Sequence, residues 1–474
     1  MNKEARILKI EEIKKSKPVG SEQLVWKDVL GPKDVFQIPL ECLLYNKYNG
    51  RILSRTKSLE AQGVSINPET PDGKKTIETL LWESKVDRNE RTKSDLKKYG
   101  QKRVGIITRD GVIIDGNRRA MLLNQIEKYD YFRAIILDVN SDQDPVEIEK
   151  LETSYQMGED EKLSYNPIEL YLKTLDQYKL LSQQSSYNSN KEDTKAVKKI
   201  YEWIGDYKSD KGIKGVKFRL QVMSLMNEYL DNFGYNDVYT LLDGREEQFR
   251  GLTRWLQHFF NSSAKRFDGS TDIDIDDLKS VGFDLIRAKC ANTDFRYLAG
   301  GKDRTKHIFG YKDIWKSFLA EHDELISSFE EPAINFDAPK FIKSLESRDA
   351  DYIKNVGNEL IKNLTSHYGK VRNKLEKDKA LVLSKKGFDA IDAINPRSPE
   401  FSKPEVLDTL GKLRDRITEM IQVGSPGKTL QHILSLLSTL DLKAGADDKD
   451  DLLDYLKQIG KDAYQLEKRV KKEL

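Results

Sequence analysis

The feature that most constrains this chain is two β-branched runs, broken by one tight turn, that lead straight into a basic helix start. Val104-Gly105-Ile106-Ile107-Thr108 and Val112-Ile113-Ile114 flank Arg109-Asp110-Gly111. Asp-Gly between two such runs predicts a hairpin, because the turn demands positive φ. Asp115-Gly116-Asn117-Arg118-Arg119 follows directly, and Ala120, Leu122, Leu123 and Ile126 then recur at helical spacing as far as Lys128. A strand therefore passes into a helix across a glycine. At such a junction the first helical amides lack intrachain partners, and the helix dipole favours an anion. Gly116 admits close approach to the backbone, Asn117 adds an amide, and Arg118 and Arg119 offer bidentate guanidinium contacts to phosphate. Asp115 can orient an arginine or hold a metal through water. Taken alone, the turn reads first as a structural bend with solvated arginines.

Two more strands are predicted, Val35–Leu40 and Phe132–Val139, which gives an α/β domain ending near Asn140. Beyond Asp144-Pro145 the pattern is helical. Asn166-Pro167 is an N-cap followed by Pro at the first helical position, and that helix runs to about Ser182. A polar loop spans 183–193. Helices follow over 196–204, 216–230, 245–260, 314–329, 350–378, 403–423, 429–440 and 449–473. The fold class is thus α+β, an N-terminal α/β domain before a mostly α-helical C-terminal two-thirds. The expected segments are an N-terminal extension (1–34), the α/β domain (35–160), a helical pair (161–235), a helical domain (236–335) and a C-terminal bundle (336–474). Leu452, Leu456, Ile459, Ala463, Leu466 and Val470 form a heptad seam, and Val406, Leu410, Leu413, Ile417 and Met420 form a similar stripe. Packing within the chain is the first expectation for these stripes, and a homodimer interface is the second.

Composition removes several classes of function. Lys+Arg (80) and Asp+Glu (78) nearly cancel, so no whole-chain charge points to nucleic acid or membrane. Cys42 and Cys290 stand far apart, and the five histidines never pair at a metal-ligand spacing, which argues against a disulfide framework and a zinc knuckle. No apolar run is long enough for a membrane span, and the N-terminus has no signal-peptide pattern; a cytoplasmic protein is expected. Asp272-Ile273-Asp274-Ile275-Asp276-Asp277 begins like a calcium loop but lacks its glycine and final glutamate, so helix capping is expected there. Gly300-Gly301-Lys302 is not a Walker motif. Trp255, Phe259 and Phe260 sit at helical spacing and are expected in the core.

The flanks of the glycine turn carry a resemblance. Ile38-Pro39-Leu40 is followed by Tyr48-Asn49-Gly50-Arg51. Gly111 to Ala120 holds the hairpin and glycine turn. Leu151-Glu152-Thr153-Ser154-Tyr155-Gln156 precedes Leu163-Ser164-Tyr165-Asn166-Pro167-Ile168-Glu169. In that order the three boxes resemble those of the ParB/sulfiredoxin superfamily, over roughly residues 35–175, with an unmatched stretch at 53–95. The resemblance implies CTP or ATP as ligand with Mg2+, phosphates held by Gly116, Arg118 and Arg119, a further contact from Arg51, and Glu152 as a metal-linked or catalytic carboxylate beside Asp115. Asn117 stands where ParB proteins have glutamate and sulfiredoxins cysteine. Sulfiredoxin chemistry is therefore excluded, and slow or absent hydrolysis is implied. Gln156 replaces a usual arginine.

ParB proteins place a helix-turn-helix after this domain. Here the candidate is 196–204, a connector with Lys208, Lys211 and Lys214, and the helix from Val216. Lys214, Lys217, Arg219 and Gln221 would face a DNA groove. An ordinary helical pair is the competing reading. The segment Lys85–Arg119 is also basic, with eleven Lys and Arg against five acids. It is either a solvated face or a phosphate-binding surface. A ParB-like DNA-binding protein is the leading expectation. A phosphotransferase or nuclease on the same fold, with Glu152 or Asp115 as base, is the alternative, and a partner-binding regulator with a vestigial nucleotide site is the third.

Overall fold

The computed structural model describes all residues except 158–165, 207–209, 262–265, 301–302, 335–340, 376–379, 423–425, 439–448 and 474. Residues 1–34 are not a loose extension. Helix α1 (Lys3–Lys14) is capped by the Asn2 side chain, which accepts from the Ala5 amide at 2.9 Å. It buries Arg6 and Ile10. Strands β1 (Gly20–Trp26) and β2 (Val29–Pro39) form a hairpin whose tip residues, Lys27 and Asp28, both have positive φ (52° and 62°). The stretch 53–95, unmatched in sequence, is helical: α2 (Leu53–Ala61), α3 (Pro71–Glu83) and the start of α4 (Val86–Tyr99).

Strands β3 (Gly105–Ile107) and β4 (Ile113–Asp115) pair across the Asp110-Gly111 turn, where Gly111 has φ 86°. Helix α5 (Asn117–Asn124) then leads to β5 (Tyr131–Ile136). The strand order is β1-β2-β5-β3-β4, and of these pairings only β3 with β5 is parallel. In the β2–β5 register Val35 lies opposite Ile135, and Ile38 opposite Phe132. The pleat sends alternate side chains to two cores. Phe36, Ile38, Ile107, Ile113, Phe132 and Ala134 pack with Ile77, Leu81 and Leu122. Leu24, Val35, Ile106, Ile114 and Ile135 pack with Ile148 and Leu151 of α6 (Pro145–Met157).

The rest of the described chain is helical. α7 (Pro167–Ser182) starts on Asn166, whose side chain accepts from the Ile168 amide. α8 (Thr194–Ile204) starts on Asp193. α9 (Gly212–Asn232) and α10 (Glu246–Asn261) follow. α11 (Asp272–Arg287) begins where the aspartate run lies, and the Asp274 carboxylate accepts from the Thr271 amide at 2.8 Å, so that run caps a helix. α12 (Asn292–Ala299), α13 (Lys312–Ser327) and α14 (Phe341–Tyr352) lead through a π turn, Ile353–Gly357, into α15 (Asn358–Leu375). One continuous core runs from α7 to α15, with no separate core beginning at 236 or 336. Phe259 lies in that core and Trp255 packs against it, whereas Phe260 is exposed. Gly301 and Lys302 lie outside the described residues.

The chain forms two compact units, Met1–Lys377 and Asp378–Leu474. The second holds α16 (Ala380–Asp392), α17 (Pro404–Gln422), α18 (Pro426–Ser438) and α19 (Lys449–Glu473). The expected closed bundle is not what these helices make. Leu413, Ile417 and Met420 on α17, and Leu456, Ile459, Leu466 and Val470 on α19, are all exposed. α17 and α18 meet each other and Val406, Leu410 and Leu452 are half-buried, but among the described residues no stripe position is fully buried. Among the described residues no helix is long and apolar enough to cross a membrane.

Candidate phosphate-binding site

β4 ends at Asp115, and Gly116 turns the chain in a left-handed conformation (φ 104°) to start α5. Asn117 braces this turn. Its amide Nδ2 donates to the Ile113 carbonyl at 3.1 Å, and its Oδ1 accepts from the Asn46 backbone N–H at 2.9 Å. The two arginines diverge. The Arg118 Nε donates to Asn89 Oδ1 at 2.8 Å; Asn89, wholly buried at the start of α4, is itself fixed to the Leu81 and Trp82 carbonyls. Arg119 folds back on Asp115 and on the Arg103 and Val104 carbonyls.

Together they line a cavity of about 150 Å³. Among the described residues its walls carry Arg51, Arg88, Arg103, Arg118 and Arg119 and the carboxylate Asp115, with Asn49, Thr92, Gly116 and Asn117 between them. Five guanidiniums around so small a space can give a multivalent anion several charge-assisted hydrogen bonds. The expected residues Arg51, Gly116, Asn117, Arg118, Arg119 and Asp115 are thus brought together. Arg88 and Arg103 were not singled out in the sequence as ligand residues. The basic run 85–119 was the available signal, but nothing local distinguishes these two from its solvated lysines.

Glu152 is placed elsewhere. It is buried on α6 behind the Asn46–Arg51 loop, where its carboxylate accepts from Asn46 Nδ2 (3.2 Å), Asn49 Nδ2 (3.3 Å) and Lys173 Nζ (3.2 Å). Lys173 is itself buried and also donates to Glu149 at 2.9 Å. Glu152 lines a different cavity, of about 470 Å³, and its geometry is that of a residue that holds the Arg51 loop through the Asn46 and Asn49 amides while its charge pairs with Lys173. Among the described residues no group of three or more His, Cys, Asp or Glu is placed to hold a metal ion. A second buried acid, Glu169 of the Asn-Pro-Ile-Glu segment, accepts from the Ser54 amide and hydroxyl at 2.8 and 2.6 Å and so joins α7 to α2. Burial pushes its carboxyl up to about 7 against the pull of those bonds and of Arg55.

The α9 residues expected to face DNA do not form one surface. Arg219 is fully buried in the helical core, Lys217 pairs with Glu192 at 2.7 Å, Gln221 accepts from Gln257, and only Lys214 is exposed. The reason is the position of α9, which packs on α7, α8 and α10 through Leu220, Met223, Met226 and Tyr229. Of the four expected groove contacts, Arg219 is thus turned into the core, and Lys217 and Gln221 are engaged by neighbouring side chains. Lys208 and Leu163 to Tyr165 lie outside the described residues, as does the side chain of Gln156.

In comparisons with known proteins, no protein-family model matches the chain and no curated protein matches it.

Proposed function

We propose that residues 1–157 form a nucleotide-phosphate-binding domain of the ParB/sulfiredoxin type, with CTP or ATP as its ligand and Mg2+ as the counter-ion. The observation that carries this reading is the convergence of five arginines and the Gly116 turn on one small cavity. Sequence order supports the superfamily: the Ile-Pro strand, the Asn49–Arg51 loop and the glycine turn occur in that order, and the last two meet at the cavity. Binding without rapid turnover fits best, because Asp115, the one carboxylate among the described residues of the cavity, is engaged by Arg119 and Asn117 offers no base. The enzyme alternative loses its main candidate, since Glu152 is paired with Lys173.

DNA belongs to the proposal as a partner of α4 and its C-terminal end, where Arg91, Lys97, Lys98 and Lys102 are exposed. α9 is not part of it. The test is a thermal-shift panel of CTP, ATP, GTP, UTP and tripolyphosphate with Mg2+, on the full chain and on Arg118→Ala/Arg119→Ala. A rise in Tm that the double variant loses is the expected result. No shift with any of these anions would sink the reading and leave a partner-binding role in its place.

A further inference from the structure

The arginine cavity is too small for a whole nucleotide. Sites for ligands of that size measure about 300–1,000 Å³, and this one is about 150 Å³. The rest of any nucleotide must lie outside it. A second groove of about 500 Å³ adjoins the cavity, since Arg103 lines both. Its walls are the tip of the β1–β2 hairpin (Val25, Trp26 and Leu30) and Tyr155 on α6.

We propose that this groove seats the base and sugar of a nucleoside polyphosphate whose phosphates occupy the arginine cavity. The inference rests on the phosphate-binding reading above and adds to it where the rest of the ligand goes. The apolar side chains of the hairpin tip are unusually open: Val25 is 51% exposed and Leu30 67%. Trp26 and Tyr155 supply flat aromatic surface of the kind on which bases stack, whatever their identity. Tyr155 stands close enough to the cavity that its hydroxyl, pushed up first by burial, also feels the charges of Asp115 and Arg103. Gln23 and Ser154 add polar groups at the rim.

The hairpin is held over α6 as a fixed wall. Lys27 pairs with Asp144 and Asp28 with Lys150, both at 2.5 Å. These pairs anchor a tip whose two positive-φ residues, neither of them glycine, would otherwise gain by relaxing. Only a ligand that joins a flat ring to a polyanion uses both halves of this combined space.

The experiment titrates tripolyphosphate and each of CTP, ATP, GTP and UTP, with Mg2+, into the full chain by calorimetry, for wild type, Trp26→Ala and Leu30→Glu. Leu30 is exposed, so its substitution leaves the fold intact, and tripolyphosphate serves as the control for the cavity in each variant. At least one nucleotide should bind wild type about tenfold more tightly than tripolyphosphate, and both variants should lose about that factor for the nucleotide while keeping tripolyphosphate affinity. If tripolyphosphate binds but no nucleotide binds more tightly, or if the Leu30→Glu variant keeps the full nucleotide preference, the seat is wrong and the phosphate site stands. If neither tripolyphosphate nor any nucleotide binds wild type, both readings fall.

Discussion

The ring of Phe132 occupies the space that a side chain on Gly116 would need: a Cβ built there lies 2.6 Å from Phe132 Cζ. The same ring atom lies 2.2 Å from a Cβ built on Gly105, so one glycine on β3 and one just past the end of β4 clear room for one phenyl group. The consequence is that the phosphate turn is set by packing behind it as well as by its own φ of 104°. Gly116→Ala should destabilise the protein by about 2 kcal/mol or more in urea unfolding, from the left-handed backbone and the clash together. Adding Phe132→Leu should recover only the part due to the clash.

Glu152 should behave as a positioning residue. Glu152→Gln keeps its shape but removes half of a buried pair, with Glu149 left to hold Lys173. A loss of up to about 3 kcal/mol in stability is expected. Tripolyphosphate affinity should fall modestly, with the Mg2+ dependence of binding unchanged from wild type. Loss of that dependence in calorimetric titration would instead make Glu152 a metal-linked group.

Glu169 predicts a pH effect whose sign follows from its raised carboxyl. The folded group titrates at about 7 against an ordinary value of 4.5, so the folded state holds the proton more firmly than the unfolded state does. Its stabilising contribution is full below about 4.5 and is lost as pH rises through about 7. Relative to wild type, Glu169→Gln should therefore gain on the order of 2 kcal/mol between pH 4.5 and pH 8. Urea unfolding of both proteins at the two pH values measures this difference directly.

Arg219 and Lys214 separate a core helix from a DNA-reading one. Arg219→Ala should cost about 2–4 kcal/mol of stability, as removal of a buried, packed charged group does, and Lys214→Ala less than about 0.5 kcal/mol. Any duplex-DNA affinity should survive Lys214→Ala and weaken on Lys97→Ala/Lys98→Ala, with a shallower salt dependence. The opposite pattern in a fluorescence-anisotropy titration would restore α9 as the contact.

The exposed seam of α19 predicts concentration-dependent self-association. Leu456→Glu/Ile459→Glu places charges in the seam at residues already open to solvent, so it should leave the monomer's Tm nearly unchanged. In sedimentation velocity the wild type should shift toward a dimer as concentration rises, and the variant should not.

What the sequence made legible follows its strong local signals. Asp110-Gly111 and the β-branched runs beside it announced the β3–β4 hairpin, and Asn166-Pro167 announced α7. The first hairpin was not announced. In Gly20–Trp26 only Leu24 is buried, and the turn is Lys27-Asp28, which has no glycine to mark its positive φ; tertiary ion pairs hold it. The site was half visible for a similar reason. Gly116, Arg118 and Arg119 lie within four residues of one another, whereas Arg88 reaches the cavity through the packing of α4 on α5 and Arg103 from the segment before β3, whose carbonyl Arg119 holds. Arg219 failed in the other direction, because a charge in a helix reads as surface and nothing local marks a buried one.

The pairing of β2 with β5 bears on how the protein is made. Val35 emerges from the ribosome a hundred positions before its partner Ile135, a delay of about 5–20 s at ordinary elongation rates. For that interval the inner edge of the first hairpin is complete but unpaired, with Phe36 and Ile38 uncovered. An open edge of this kind invites pairing with other strands, so the nascent chain depends on shielding there until the glycine turn and β5 have been synthesised.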